Sequence, residues 1–284
     1  MAGPARRRRG TGAGALGLSN ILAGQPVDET LLAELYDLEH DAITEDLVFY
    51  REWARRASGA VIDLGCGSGR LFAPLLRGGA TRLVGIDGSP ALVGRAVARI
   101  DGDDLLRSAR DAGRLETAVA DVRRVHRRGR FALAVLAGVL AHLDGPEDAL
   151  RALDAARGLL QPGGLLIVDM LGPGALPPHD LPLSIDWERR MGERRVVRRS
   201  RLLRHEAPEG LRVEYATLTD LVEADGTIAR LPAGFRLWYP SPGTLIGLAE
   251  EAELAVEATF GSHELDPLEG DSERCIVVLR RGEG

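Results

Sequence analysis

A glycine-rich turn directly after a short apolar run is the first feature of this sequence that could carry chemistry. The segment VIDLGCGSGR spans residues 61–70. Because glycine has no Cβ, such a turn lets the backbone approach a ligand closely when it follows a buried strand and precedes a helix. Arg70 stands where a dinucleotide-binding fingerprint needs its third glycine for helix packing. The pattern therefore predicts a ligand-binding loop other than a pyrophosphate clamp.

Two carboxylates stand at the ends of the first two strand-like runs. Asp63 lies just before the glycine loop, where a carboxylate would repel a pyrophosphate but suits a ligand with a cationic amino group. Asp87 ends the next run, at roughly the 20-residue offset at which an acidic side chain accepts hydrogen bonds from ribose hydroxyls. Asp87 could also cap the helix that begins near Pro90. We therefore expect a ligand that carries both an ammonium group and a ribose.

A histidine, His142, follows an apolar run that ends in Ala137-Gly138. Imidazole can accept a proton near neutral pH, so His142 is the candidate general base. The alternative is a histidine that packs at the start of the next helix and hydrogen-bonds to backbone near the glycine loop. The sequence contains no lysine. Pyridoxal enzymes and ordinary P-loop NTPases, which need that residue, are therefore excluded.

The elements that must position these residues alternate between short apolar runs and helix-length segments. The runs are AVIDL (60–64), RLVGID (82–87), LETAVAD (115–121), FALAVLA (131–137) and GLLIVDM (164–170). Alternation of this kind predicts a parallel sheet with crossover helices. Apolar residues at helical spacing from Glu29 onward predict helices before the first strand.

The rhythm changes after Met170, where a proline-rich loop precedes three segments that look like antiparallel strands. These segments are 194–207, 211–221 and 228–240, and a helix at 241–254 and strands at 255–260 and 274–281 follow. The predicted organisation is a disordered basic tail (1–28), helices and cofactor-binding core (29–170), a substrate cap (171–240), and the last helix and final two strands of the core sheet (241–284).

Four segments of the core resemble, in the right order, the motifs of the class I S-adenosylmethionine-dependent methyltransferases. They are VIDLGCGSGR (61–70), VGIDGSPAL (84–92), Ala120-Asp121-Val122, and LLQPGGLLIVDM (159–170). The resemblance implies an α/β fold with a Rossmann-like, seven-stranded, mostly parallel sheet flanked by helices, in which the last strand runs antiparallel. The three-stranded antiparallel cap would be inserted after the fifth strand. S-adenosylmethionine is the cofactor that this resemblance implies.

The resemblance also implies roles for individual residues. Asp121 would bind the adenine amino group, Val122 would offer its backbone amide to the ring, and Asp87 would hold the ribose. Tyr36 and Tyr50 are expected to close over the cofactor from the N-terminal helices, unless they are simple core aromatics. The full set of expected cofactor residues is Asp63, Gly65, Cys66, Gly67, Gly69, Asp87, Gly88, Asp121, Val122, Ala137, Gly138, Tyr36 and Tyr50.

An aromatic cluster and an arginine run suggest where a substrate would bind. Arg236, Trp238 and Tyr239 are candidate substrate residues, because aromatic side chains cluster there in a chain with only 4% aromatic residues. Either face of this strand could instead simply pack. The arginines of residues 194–204 could hold a phosphate or carboxylate, although an exposed edge strand protected by charge explains them better.

The remaining expectations concern reaction and partners. The N-terminal helices and late insertion are similar to the small-molecule branch of the family, including amino-sugar N-methyltransferases and glycine N-methyltransferase-like proteins. We expect methyl transfer to an N or O atom of a small-molecule metabolite; the alternative is a non-catalytic, cofactor-binding regulatory partner. The net charge of −6 disfavours nucleic acid. We expect no metal and no membrane span, a cytoplasmic protein with two unpaired cysteines, and a homodimer as an assembly that the sequence allows.

Overall fold

The computed structural model describes residues 28–125 and 130–283. The tail expected at 1–28 lies outside this part of the chain, apart from Asp28, which caps the first helix through a hydrogen bond from the Leu31 amide. The helices are α1 (Glu29–His40), α2 (Leu47–Ala57), α3 (Phe72–Arg77), α4 (Pro90–Gly102), α5 (Asp104–Asp111), α6 (Pro146–Leu159) and α7 (Pro242–Glu251). Within the described residues, none of them is long and apolar enough to cross a membrane.

The strands form two separate sheets. The first contains β1 (Val61–Leu64), β2 (Leu83–Asp87), β3 (Leu115–Val119), β4 (Phe131–Ala137), β5 (Leu160–Leu171), β10 (Leu254–Phe260) and β11 (Arg274–Arg281). The second contains β6 (Leu181–Met191), β7 (Arg194–Ala207), β8 (Gly210–Val222) and β9 (Ile228–Pro240). The first sheet has the order β10-β11-β5-β4-β1-β2-β3, with β11 antiparallel to both of its neighbours. The expected Rossmann-like, seven-stranded sheet is therefore confirmed.

The sheet order places the glycine loop at the point where ligands bind in folds of this kind. From β1 the chain builds outward to β2 and β3, and then returns to form β4 on the other side of β1. The carboxyl ends of β1 and β4 are therefore neighbours at a topological switch point, where a crevice opens for ligands. All four residues of β1 are buried, because helices cover both faces of the sheet.

The second sheet corrects the expected cap, because it has four strands rather than three. The additional strand, β6, begins in the proline-rich stretch after the fifth strand, and most of its residues are exposed. Its sequence does alternate, with apolar residues at Leu181, Leu183, Ile185 and Trp187, but Pro182 and the prolines just before it read as a loop. β6 pairs with β7, so the arginine-rich strand lies inside the sheet. The interpretation of β7 as an exposed edge was wrong.

Candidate active site

The glycine loop after β1 adopts a backbone conformation that only glycine accommodates easily. Gly65, Gly67 and Gly69 have φ values of 81°, 55° and 79°, in the left-handed region. The surroundings are equally restrictive, because a Cβ at Gly65 would lie 2.3 Å from the Val139 side chain. A Cβ at Gly67 would lie 2.9 Å from the hydroxyl of Tyr36. The loop is thus closely covered, on one side by the end of β4 and on another by α1.

Asp87 holds the loop in this conformation. Its Oδ2 accepts a hydrogen bond of 2.9 Å from the Gly67 amide, and its Oδ1 accepts one of 2.8 Å from the Ser89 amide. The N-cap of α4 is Ser89, whose side chain accepts a hydrogen bond from the Leu92 amide. Asp87 is therefore not the helix cap. Its carboxylate oxygens keep lone pairs that could accept hydrogen bonds from ribose hydroxyls.

Asp63 is a buried carboxylate without a complete set of partners. It is 2% exposed, and its Oδ2 has no hydrogen-bond partner. Burial and the neighbouring charge of Asp87 raise the pKa of Asp63 to about 7. A cationic group at the loop would supply the missing counter-charge. The residues present therefore fit a ligand that carries an ammonium group.

Cys66 and Gly88 occupy different surroundings although both were expected near the cofactor. Cys66 is buried against β2, and burial raises the pKa of its thiol. Its side chain thus packs under the loop, which leaves only its backbone as a ligand contact. Gly88 is exposed after β2, with no atom near the position of a Cβ. Both assignments remain predictions.

Asp121 and Val122 lie after β3, where a short 3-10 helix spans Val122–Arg124. Asp121 accepts hydrogen bonds from the Arg123 backbone amide and from its guanidinium, the latter at 2.7–3.1 Å. These hydrogen bonds lower the pKa of Asp121 to about 2. Arg123 also pairs with Asp148 of α6, so the acceptor carboxylate is fixed in place and ionised. The expected contact between Asp121 and adenine remains a prediction.

The two tyrosines of the N-terminal helices occupy very different places. Tyr36 lies across Gly67 and stacks on His40, with ring centroids 3.9 Å apart. Burial raises the pKa of Tyr36 to about 12, so its hydroxyl stays protonated. Tyr50 is fully buried, and its hydroxyl donates a hydrogen bond of 2.5 Å to Asp169. A side chain with no accessible surface and a satisfied hydroxyl does not line a ligand site, so for Tyr50 the alternative of a core aromatic fits the structure.

Asp169 at the end of β5 is the centre of a buried polar cluster. Besides Tyr50, its partners are His263 at 2.9 Å and Arg274 at 3.0 Å. The donated hydrogen bonds and the Arg274 charge lower the pKa of Asp169 despite its burial. These contacts fasten α2 and the loop after β10 to the sheet. Among the described residues, no three His, Cys, Asp or Glu side chains cluster as a metal site requires.

His142 lies at the carboxyl edge of the sheet, opposite the cap. After β4, Ala137 is partly buried and Gly138 is exposed with φ of 73°. A 3-10 turn, Leu140–His142, follows directly. The His142 ring faces Phe235 of β9 edge-on, with centroids 6.4 Å apart. The residue keeps an exposed side, but partial burial of the imidazole lowers the pKa of His142, so the ring is neutral at pH 7.

The expected substrate residues separate onto different surfaces. Trp238 is 1% exposed and packs in the hydrophobic core with Leu140 and Leu245, so it does not form a wall of an open pocket. Arg236 is exposed and lies opposite Glu214 in the register of β8 and β9, on the face opposite to Phe235. Tyr239 packs against Leu202, Leu211 and Val213, on the face of the cap that is called its inner face. Of this aromatic group, Phe235 is the residue that faces His142.

Two polar residues on the inner face of the cap, Ser200 and Tyr215, have no counterpart among the residues expected from the sequence. Arg198, one of the 194–204 arginines, lies beside them and forms an ion pair with Glu39 of α1. A strict alternation of sides along β7 separates Arg198 from Arg199, which pairs with Asp220. The alternation of β7 residues between the two faces of the sheet could have separated these arginines. It does so only once β7 is known to have a strand on each side.

Comparison with known proteins agrees with this architecture. A family model described as a methyltransferase domain matches residues 38–258. No curated protein matches the sequence.

Solved structures are similar over almost the whole chain. An S-adenosylmethionine-dependent methyltransferase from Clostridium acetobutylicum ATCC 824 has 15% identity and a TM-score of 0.70, covering 89% of this chain and 98% of its own. The CcbJ methyltransferase from Streptomyces caelestis has 20% identity and a TM-score of 0.68, covering 90% and 99%. The sugar N-methyltransferase KedS8 from Streptoalloteichus sp. ATCC 53650 has 22% identity and a TM-score of 0.64, covering 100% and 99%. With the matched domain, the strand order and the glycine loop together, the chain belongs to the class I S-adenosylmethionine-dependent methyltransferases.

Proposed function

We propose that this enzyme transfers the methyl group of S-adenosylmethionine to a nitrogen or oxygen atom of a small polar metabolite. The observation that carries the proposal is the position of His142, which follows the end of β4 and faces Phe235 of the cap. An acceptor between these two side chains would lie at the sheet edge where the methyl group emerges. The cap would cover the acceptor and exclude water.

An amine is the acceptor that the surroundings favour. His142 is neutral at pH 7 and can accept the proton that an amine nitrogen loses. The net charge of −6 favours a cationic substrate over an anionic one. One similar structure is a sugar N-methyltransferase, and this supports a sugar-like amine as the acceptor class for this chain.

The cofactor would be held by the glycine loop, with Asp63 near its ammonium group, Asp87 at its ribose and Asp121 at its adenine. When bound, the cofactor supplies an electrophilic methyl group. The protein aligns the acceptor atom, since an in-line displacement depends chiefly on orientation. Tyr36 closes the loop side of the site, where it covers Gly67.

His142 would accept the proton that the acceptor loses. Its lowered pKa keeps the imidazole neutral and able to accept a proton at pH 7. An acceptor that arrives as an ammonium ion must lose a proton before its lone pair can attack. His142 follows the end of β4, at the edge of the sheet where the acceptor would lie.

The test combines a binding and a turnover measurement. Calorimetry with S-adenosylmethionine is expected to show binding, and Asp87→Ala is expected to weaken it by at least about tenfold, the scale of one lost hydrogen-bonding partner. Methyl-labelled cofactor is then incubated with a panel of hydroxylated amines. Binding without transfer to any of them would favour the alternative, a cofactor-binding protein with a regulatory role. No binding at millimolar cofactor would refute both readings.

The surroundings of the protein are inferred on separate grounds. Both cysteines are buried and unpaired, which supports a reducing compartment such as the cytoplasm. The net charge of −6 supports a small-molecule substrate over nucleic acid. A homodimer is proposed as the assembly, and analytical ultracentrifugation would test it.

A further inference from the structure

The inner face of the cap carries a polar group between two apolar clusters. One cluster contains Leu35 of α1 with Val196, Leu221 and Leu231 of the cap. The other contains Leu202, Leu211 and Val213. Ser200 and Arg198 lie between them on β7, and Thr217 and Thr219 lie beside them on β8, all of them buried. Burying a polar band inside an apolar interface costs free energy unless its members are hydrogen-bonded or paired.

Arg198 is the centre of this band. It is 8% exposed, and its Nη2 donates a hydrogen bond of 2.5 Å to the Tyr215 hydroxyl. The same guanidinium forms an ion pair with Glu39 and lies 3.4 Å from Asp186, while its buried Nε has no hydrogen-bond partner. It also lies over the Tyr215 ring, 5.5 Å from the centroid. These contacts from three elements hold the guanidinium in one place.

The contact with Arg198 determines what Tyr215 can do. Its oxygen accepts a hydrogen bond from the guanidinium, so its own proton must point in another direction. Ser200 lies on one side and donates to Asp186 at 2.6 Å. On the other side lies Phe235, which is 38% exposed and has its ring centroid 6.3 Å from that of Tyr215. Burial raises the pKa of Tyr215 more than the Arg198 charge and a hydrogen bond with Ser200 lower it, so the hydroxyl stays protonated.

A row of rings thus connects this band to the proposed base. Phe235 neighbours both Tyr215 and His142, with its ring centroid 6.3 Å from the first and 6.4 Å from the second. A small ring-shaped acceptor that rests on Phe235 would reach His142 at one end and Tyr215 at the other. Glu39 and Asp186 lie around Arg198. A second guanidinium, that of Arg189, hydrogen-bonds to the Glu39 carbonyl oxygen, so the charges of the band balance. The group that the band offers to an acceptor is therefore the neutral Tyr215 hydroxyl.

We propose that Tyr215 is a specificity-determining residue that donates a hydrogen bond to an oxygen of the methyl acceptor, and that Arg198 is the positioning residue that orients it. The assignment rests on the proposed function and makes the acceptor a hydroxylated amine. A site built to hydrogen-bond an oxygen discriminates strongly against an analogue that lacks it. Tyr215 and Arg198 therefore act on substrate choice, and cofactor binding is independent of them.

The experiment compares two probes that differ in hydroxyl groups, D-glucosamine and cyclohexylamine, at saturating labelled cofactor. The wild-type kcat/KM is expected to be at least about tenfold higher for D-glucosamine, and Tyr215→Phe is expected to remove most of that preference by raising KM. Arg198→Lys is expected to have a similar effect. Arg199→Lys is the matched control, since Arg199 pairs with Asp220 on the opposite face, and the preference should remain. Cofactor affinity, measured by calorimetry, should be unchanged in all three variants.

Three results separate this inference from the proposed function. An unchanged preference in Tyr215→Phe would overturn the inference. Wild-type enzyme that binds the cofactor but does not prefer D-glucosamine would overturn it too, and would leave the proposed function to its own acceptor panel. Absence of cofactor binding by the wild type would overturn the proposed function. If circular dichroism shows that Arg198→Lys does not fold, the nearly isosteric Tyr215→Phe variant alone tests the inference.

Discussion

Tyr36 and Gly67 are packed so closely that no side chain fits at position 67. A Cβ there would lie 2.9 Å from the Tyr36 hydroxyl, and the backbone φ of 55° already favours glycine. The Tyr36 ring of α1 and the backbone of the glycine loop are therefore in direct contact. Glu39, less than one helical turn from Tyr36, pairs with Arg198 of the cap. The same helix thus contacts both the cofactor loop and the cap.

Gly67→Ala is expected to weaken cofactor binding about tenfold or more, because Tyr36 or the loop must shift to admit the methyl group. Calorimetry measures the effect. Gly94→Ala is the control, since Gly94 is exposed in α4 with no atom near the position of a Cβ. That variant should bind normally and gain up to about 1 kcal/mol of stability, as alanine is the better helix former. Equal affinity in the two variants would contradict the close packing of Tyr36 on the loop.

Asp63→Asn is expected to stabilise the free protein while weakening cofactor binding. The folded-state pKa of about 7 lies above the ordinary value of 3.8. Stability from the protonated carboxyl is therefore complete below pH about 4 and is lost as pH rises through about 7. The amide variant does not titrate, so its melting temperature should exceed that of the wild type at pH 8, and the two should converge near pH 4. A wild-type melting temperature that rises between pH 5 and 8 relative to the variant would contradict the raised pKa.

His142→Ala is expected to lower kcat about 100-fold, the usual contribution of a positioned base, while the affinity for cofactor stays the same. The pKa of His142 is lowered from its ordinary value of 6.5, so in the wild type kcat should fall with decreasing pH only below about 6.5. The variant should lose that acid limb. His205→Ala, at an exposed position near the end of β7, is the control for histidine removal. A wild-type pH profile kept intact in His142→Ala would remove the general-base role.

Tyr50→Phe is expected to destabilise the fold by about 1–3 kcal/mol, because the buried carboxylate of Asp169 loses a donor. Denaturant unfolding measures the loss. Cofactor affinity should stay unchanged, since the Tyr50 side chain is fully buried. Tyr36→Ala is the comparison and should weaken cofactor binding. A cofactor affinity that falls in Tyr50→Phe but not in Tyr36→Ala would reverse the roles assigned to these tyrosines.

Trp238→Ala and Phe235→Ala are expected to have opposite kinds of effect. Removing the buried Trp238 should cost about 3–5 kcal/mol of stability, as for other large core aromatics. Phe235 is 38% exposed, so its loss should change stability little and raise KM for the acceptor. Thermal unfolding and steady-state kinetics on both variants measure these effects. An unchanged KM in Phe235→Ala would place the acceptor elsewhere.

The sequence by itself determined the core sheet and the residues of the cofactor loop. Period and punctuation are local signals, and buried parallel strands such as β1 are continuous apolar runs that are easily recognised. The glycines at 65, 67 and 69 predicted left-handed backbone conformations from residue type alone. Asp63 and Asp87 followed from their positions at strand ends.

Only the tertiary structure decided which side chains of the N-terminal helices and the cap face the site. Tyr36 and Tyr50 look alike in sequence, yet one covers Gly67 and the other is buried against Asp169, 119 residues away along the chain. β6 escaped prediction because Pro182 and the prolines before it read as a loop, although apolar residues alternate from Leu181 to Trp187. Without β6, Arg198 looked like one charge among many on an edge. These cases have one physical reason. Burial and strand pairing depend on the packing of segments that are distant in sequence, and a local pattern does not show which segment will pack against which.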